Sequence, residues 1–163
     1  MRTSPLICLV LLALLPAFAG AEDDERGERH GGAALRPAVV DATWAKECSA
    51  CHIPYAPGFL PAASWRLVMA GLDKHFGTDA SLTAPEATAI TAFLVANGSA
   101  RWAGVDTPLR ITETQGFKRK HNPKEISTAI WRRASVKSPA NCQACHPRAD
   151  QADFNEKAIK IPI

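Results

Sequence analysis

Two five-residue runs constrain this chain more than anything else in it: Cys48-Ser49-Ala50-Cys51-His52 and Cys142-Gln143-Ala144-Cys145-His146. C-x-x-C-H is the spacing that attaches a haem covalently, because two thiols so placed add across the two vinyl groups of one porphyrin. The residue after the second Cys then lies beneath the iron, and a His there supplies an imidazole nitrogen as axial ligand. Zinc sites and redox dithiols also use C-x-x-C. Neither requires the His that follows, and here it follows both times. The pentads therefore predict two covalently attached haem c groups, anchored through Cys48, Cys51, Cys142 and Cys145, with His52 and His146 as iron ligands.

The fifth cysteine, Cys8, falls in a leader. A basic start at Arg2, an apolar run from Leu6 to Leu15 and the small residues Ala17, Ala19 and Ala21 read as a signal peptide over residues 1–21. The run is short for a membrane span, and acidic Glu22-Asp23-Asp24-Glu25 follows it in place of a basic flank. The expectation is export to a periplasm, with no membrane span in the mature chain. An oxidising compartment would ordinarily suggest disulfides. All four mature cysteines are committed to the pentads, so none remains for one.

Residues 22–36 are charged and without apolar periodicity, which predicts a flexible acidic arm. From Pro37 the spacing predicts a helix capped by Asp41 that delivers the first pentad at its C-terminal end. Pro54, Pro57, Gly58 and Pro61 exclude a helix and predict a loop around the haem edge. Trp65, Val68, Met69 and Leu72 form the next helical stripe. Thr83-Ala84-Pro85-Glu86 is a capping-box start for a third helix, with Ile90, Phe93 and Leu94 buried and Asn97-Gly98 at its end. That order resembles the small monohaem class I cytochromes c, with His75 where the class usually places Met.

The expected fold is mainly α, with a class I-like haem domain over 37–100 and a smaller, less regular second haem domain over 101–163. In the second, Leu109 to Phe117 reads as an irregular or partly extended connector. Asn122-Pro123-Lys124-Glu125 reads as a helix start, followed by Ile126, Ile130 and Trp131 or Ala134 on one face. Asn141 opens a turn carrying the second pentad, and Phe154, Ile159 and Ile161 are available to pack on a haem face. Each half is too short to build a large core from side chains alone, so the porphyrins should supply much of it.

For the opposite face of each iron the mature chain offers His30, His75, His121 and Met69. His30 lies in the arm, and Met69 lies in an apolar stripe where Met fills core gaps. That leaves His75 and His121 as distal ligands, paired by proximity with the first and second haem, although crossed ligation stays open. Two imidazoles per iron leave no vacant position for oxygen, peroxide or nitrite, which suits electron transfer, and His in place of Met lowers the potential. The alternative is a small peroxidase or reductase in which a distal His dissociates; no acid or base group stands out beside an iron for that chemistry.

The formal net charge of +3 omits the haem propionates, but its distribution is uneven. From Arg101 to Arg148 there are ten Lys or Arg against Asp106, Glu113 and Glu125. This is either a solvated face that offsets propionate charge or a docking patch for an acidic partner. Nucleic-acid binding does not suit an exported haem protein.

The pentads, Ile53-Pro54-Tyr55, Ser64-Trp65, Leu72-Asp73-Lys74-His75-Phe76-Gly77 and Arg110-Ile111-Thr112-Glu113-Thr114 together resemble the small bacterial dihaem cytochrome c family. The likeness spans nearly all of the mature chain, and the His-Phe-Gly and Arg-Ile-Thr-Glu-Thr runs are its more specific part. It implies bis-His ligation and electron transfer to a partner redox protein. In that family the acceptor is a monohaem oxygen-binding cytochrome, and a membrane cytochrome b is the candidate donor.

Overall fold

The computed structural model describes residue 35 and residues 37–100 and 107–163. The expected signal peptide, nearly all of the expected arm with His30, and residues 101–106 at the expected boundary lie outside the described residues. The described chain is mainly helical and contains no strand, only an isolated bridge between His75 and Thr78.

The first helix, Ala42–Ser49 (α1), starts where Asp41 accepts a hydrogen bond from the Trp44 N–H at 2.7 Å, and it runs into the first pentad. The proline-rich loop follows, tightened by a 3-10 turn at Pro57–Phe59. Trp65 Nε1 donates to the Pro57 carbonyl at 2.7 Å, which fastens that loop to the second helix, Ala62–Ala70 (α2). The third helix, Ala84–Ala96 (α3), begins at the expected capping box: Glu86 Oε2 accepts from the Thr83 N–H at 3.1 Å and from its hydroxyl at 2.6 Å.

Helices α1 and α2 both pack on α3. Trp44, Leu60, Trp65, Ile90 and Leu94 form the core, and Trp44 meets Phe93 with ring centroids 5.1 Å apart. Met69 packs against this cluster half-buried, as a core residue would. Gly98 follows α3 where a Cβ would stand 3.0 Å from Ala62 N and 3.2 Å from Leu60 O. Only glycine admits that approach of two backbones, and it lets the Ser99 N–H reach Leu60 O at 2.9 Å.

The second half departs from expectation in two places. The stretch read as an irregular connector contains a 3-10 turn at Ile111–Glu113 and a helix, Gln115–Lys120 (α4). Thr114 Oγ1 accepts from the Phe117 N–H at 3.2 Å and so caps α4, while Lys118, Arg119 and Lys120 occupy its last turn, where cations favour the helix dipole.

The helix expected from Asn122 does not form; that stretch holds turns and a 3-10 turn at Ile130–Arg132. Asn122 Oδ1 accepts from the Lys124 N–H at 2.9 Å and Ser127 Oγ from the Ala129 N–H at 3.4 Å, side-chain bonds that compete with helix propagation. Among the described residues of this half, Val136, Ala149 and Ala152 are the buried apolar ones. In the tail Phe154 and Ile159 are half-buried, whereas Ile161 is exposed.

Candidate haem sites

α1 and the turn after it bring His52 to the end of the first pentad, and the 3-10 turn Leu72–Lys74 presents His75 opposite. Their ring centroids are 6.2 Å apart with planes 26° from parallel. At the other site, His121 closes α4 and His146 follows the 3-10 turn Cys142–Ala144. Those centroids are 6.1 Å apart, at 68°. A metal-to-imidazole bond is about 2 Å, so with roughly 1 Å from each nitrogen to its ring centre, two rings on opposite sides of one ion have centroids about 6 Å apart. Both pairs have that spacing, and the histidines adjacent in sequence are the ones that face each other.

The hydrogen bonds fix ring tautomers that suit ligation. His52 Nδ1 lies 2.6 Å from the Ile53 carbonyl oxygen, and His121 Nδ1 lies 3.0 Å from that of Phe117. Each Nδ1–H donates to a carbonyl, which leaves Nε2 with its lone pair for a metal. Burial, followed by the charges of His52 and Arg110, holds His75 below the ordinary imidazole range. Burial lowers His121 against the opposing effect of the Phe117 carbonyl, and burial and His121 lower His146. Neutral imidazole is the metal-binding form.

No disulfide joins the four described cysteines. Burial pushes Cys48 and Cys142 up to about 11, Glu47 adding to the effect at Cys48, and burial also raises Cys145. Reactive dithiols show the reverse, a depressed thiol pKa. Among the described residues no three His, Cys, Asp or Glu side chains converge on a metal position. Paired rings at this separation suit an iron whose other four ligands come from a macrocycle between them, so the donor set fits haem.

Aromatic residues surround the sites, and of those below only Phe154 was expected from the sequence to pack on a haem face. Phe117 stacks on His121 with centroids 4.0 Å apart, and Trp131 stands 6.0 Å from the same ring. The signal for Phe117 was present, four residues before His121 on a helix. Tyr55 stacks on His52 at 4.7 Å and donates its hydroxyl to the Ala140 carbonyl at 2.7 Å, two residues before Cys142. Phe154 meets Phe59 of the first half at 5.1 Å and His146 at 5.2 Å. Nothing in local sequence marks those long-range contacts.

The chain matches the family model described as dihaem cytochrome c over residues 44–154. No curated protein matches it. Among solved structures it is similar to a dihaem cytochrome c from Rhodobacter sphaeroides, at 44% identity and a TM-score of 0.64, covering 71% of this chain and 98% of that one. A second is a dihaem c-type cytochrome from Shewanella baltica, at 34% identity and a TM-score of 0.65, covering 74% and 92%. The helical fold, the paired histidines and these likenesses agree: the chain belongs to the dihaem cytochrome c family, with two covalently bound haem c groups and the electron-transfer role that membership implies.

Proposed function

We propose that this is a periplasmic electron carrier in which each iron is held by two imidazoles, His52 with His75 and His146 with His121. Cys48 and Cys51 anchor one haem within residues 37–100, and Cys142 and Cys145 anchor the other within residues 101–163. The observation that carries this reading is the pair of ring separations, 6.2 and 6.1 Å.

Each haem, when bound, supplies a one-electron ferric–ferrous couple. His52 with His75 and His146 with His121 would hold each iron from both faces and leave no position for a small-molecule substrate, which favours electron carriage over catalysis. Imidazole in place of thioether keeps both potentials low. The carbonyl bonds to His52 and His121 act in the same direction by raising ligand basicity. Export follows from the leader, and no described helix is long and apolar enough to cross a membrane.

The basic second half suits a partner with an acidic face. A monohaem oxygen-binding cytochrome as acceptor and a membrane cytochrome b as donor are the partners that the family resemblance suggests. Absorbance and EPR spectra of His75→Ala and His121→Ala test the ligand assignment. Each substitution should convert one haem from low to high spin. A substitution that leaves both low-spin signals intact overturns the assignment of that residue.

A further inference from the structure

Phe76 follows the expected distal ligand of the first haem in a backbone conformation that bulky residues rarely adopt, with φ of 50°, and Gly77 follows at 100°. The turn leaves the Phe76 ring 47% exposed and 4.8 Å from the His75 ring. An exposed aromatic at positive φ needs a compensating contact, and the second half of the chain provides it. The guanidinium carbon of Arg110 lies 4.1 Å from the Phe76 ring centroid, a cation over an aromatic face. The two separations keep that charge within about 9 Å of the His75 ring. Its acidic neighbour Glu113 stands 3.9 Å away, with both side chains about half exposed, so the pair is loose and the cation is incompletely neutralised.

We infer that the Phe76–Arg110 stack sets the reduction potential of the first haem: a cation supplied by the second half of the chain, and held over the distal ligand loop, favours the ferrous form. The inference rests on His75 being the distal ligand. The step concerned is the gain of one electron by ferric iron from a one-electron donor, with no bond made or broken and no proton moved. Ferric haem carries one more positive charge than ferrous haem, so a fixed cation nearby shifts the ratio towards ferrous and an anion shifts it back.

Arg110 and Glu113 are thus positioning charges of opposite sign whose removal should act in opposite directions. The experiment is potentiometry of the holo-protein, followed by absorbance, for the wild type and for Arg110→Gln, Arg110→Lys and Glu113→Gln. The His75→Ala variant is measured alongside to identify which wave belongs to the first haem. Arg110→Gln should lower the ferrous-to-ferric ratio of that haem about threefold at fixed applied potential, which is about 28 mV at 59 mV per tenfold. Glu113→Gln should raise it by a similar factor, and Arg110→Lys should stay close to wild type. The wave of the second haem should not move, and both shifts should shrink in high salt.

Shifts of the same sign in Arg110→Gln and Glu113→Gln, equal shifts of both haems, or no shift in either variant would overturn the inference. If His75→Ala converts one haem to high spin while the charge variants leave its wave in place, only this inference fails. If His75→Ala leaves both haems low-spin, the ligand assignment fails and the inference with it.

Discussion

The imidazole of His121 lies flat against the ring of Phe117, 10° from parallel, while its Nδ1–H donates to the carbonyl of the same residue at 3.0 Å. One residue therefore fixes both the plane and the tautomer of the expected distal ligand. Phe117→Leu keeps the carbonyl bond but removes the stack, a loss of about 0.5–1.5 kcal/mol in ring positioning. Low-spin EPR lines of the second haem should broaden and those of the first should stay unchanged.

Acid should act on the same histidines. His75, His121 and His146 all have folded-state pKa values below the ordinary imidazole range, each chiefly through burial. A depressed imidazole pKa means that the unfolded chain binds more protons, so the stabilising contribution is complete above about 6.5 and is lost as pH falls through the folded value. Thermal midpoints should be flat above neutrality and decline below about pH 6.5, with high-spin absorbance appearing at the acid end. Stability that rises on acidification through that window would contradict the assigned environments.

Gly98→Ala tests the close approach of the segment after α3 to the start of α2. The added Cβ would meet Ala62 N at 3.0 Å and Leu60 O at 3.2 Å, both backbone atoms that cannot rotate aside. Denaturant unfolding should show a loss of about 1–3 kcal/mol, as for other overpacked sites. The haem spectra should be unaltered, because none of His52, His75, His121 and His146 lies on this contact.

Haem-free protein should be incompletely folded. The first half has a core of five buried residues around two tryptophans, whereas the second buries only Val136 and two alanines among its described apolar residues. Cys142→Ala with Cys145→Ala should abolish the cooperative thermal transition of the second half and spare more of the first. Wild-type melting in that variant would show that side chains alone suffice there.

How much was legible in the sequence follows from where local chemistry decides structure. Asp41, the proline loop and the Thr83–Glu86 capping box act within a few residues of themselves, and each reads correctly. The rings of His75 and His52, and those of His121 and His146, also face each other in sequence order. The second half was harder because apolar periodicity signals burial against other side chains, and few are buried there. The Ile126, Ile130 and Trp131 spacing imitated a helix, while Asn122 and Ser127 spent their side chains on turns. In α4, Gly116 and three consecutive cations obscured a helix that Thr114 caps. The Phe76–Arg110 and Tyr55–Ala140 contacts join distant parts of the chain, and no local pattern encodes them.

The most direct measurement is the EPR spectrum, with spin quantitation, of the fully oxidised holo-protein. The expected result is two low-spin ferric irons per chain and no high-spin signal. The two should be distinguishable, because one imidazole pair is 26° from parallel and the other 68°, and ligand planes nearer to perpendicular give the more anisotropic signal. A high-spin signal amounting to one iron per chain would mean an axial position without its imidazole, and would contradict a carrier with both irons closed.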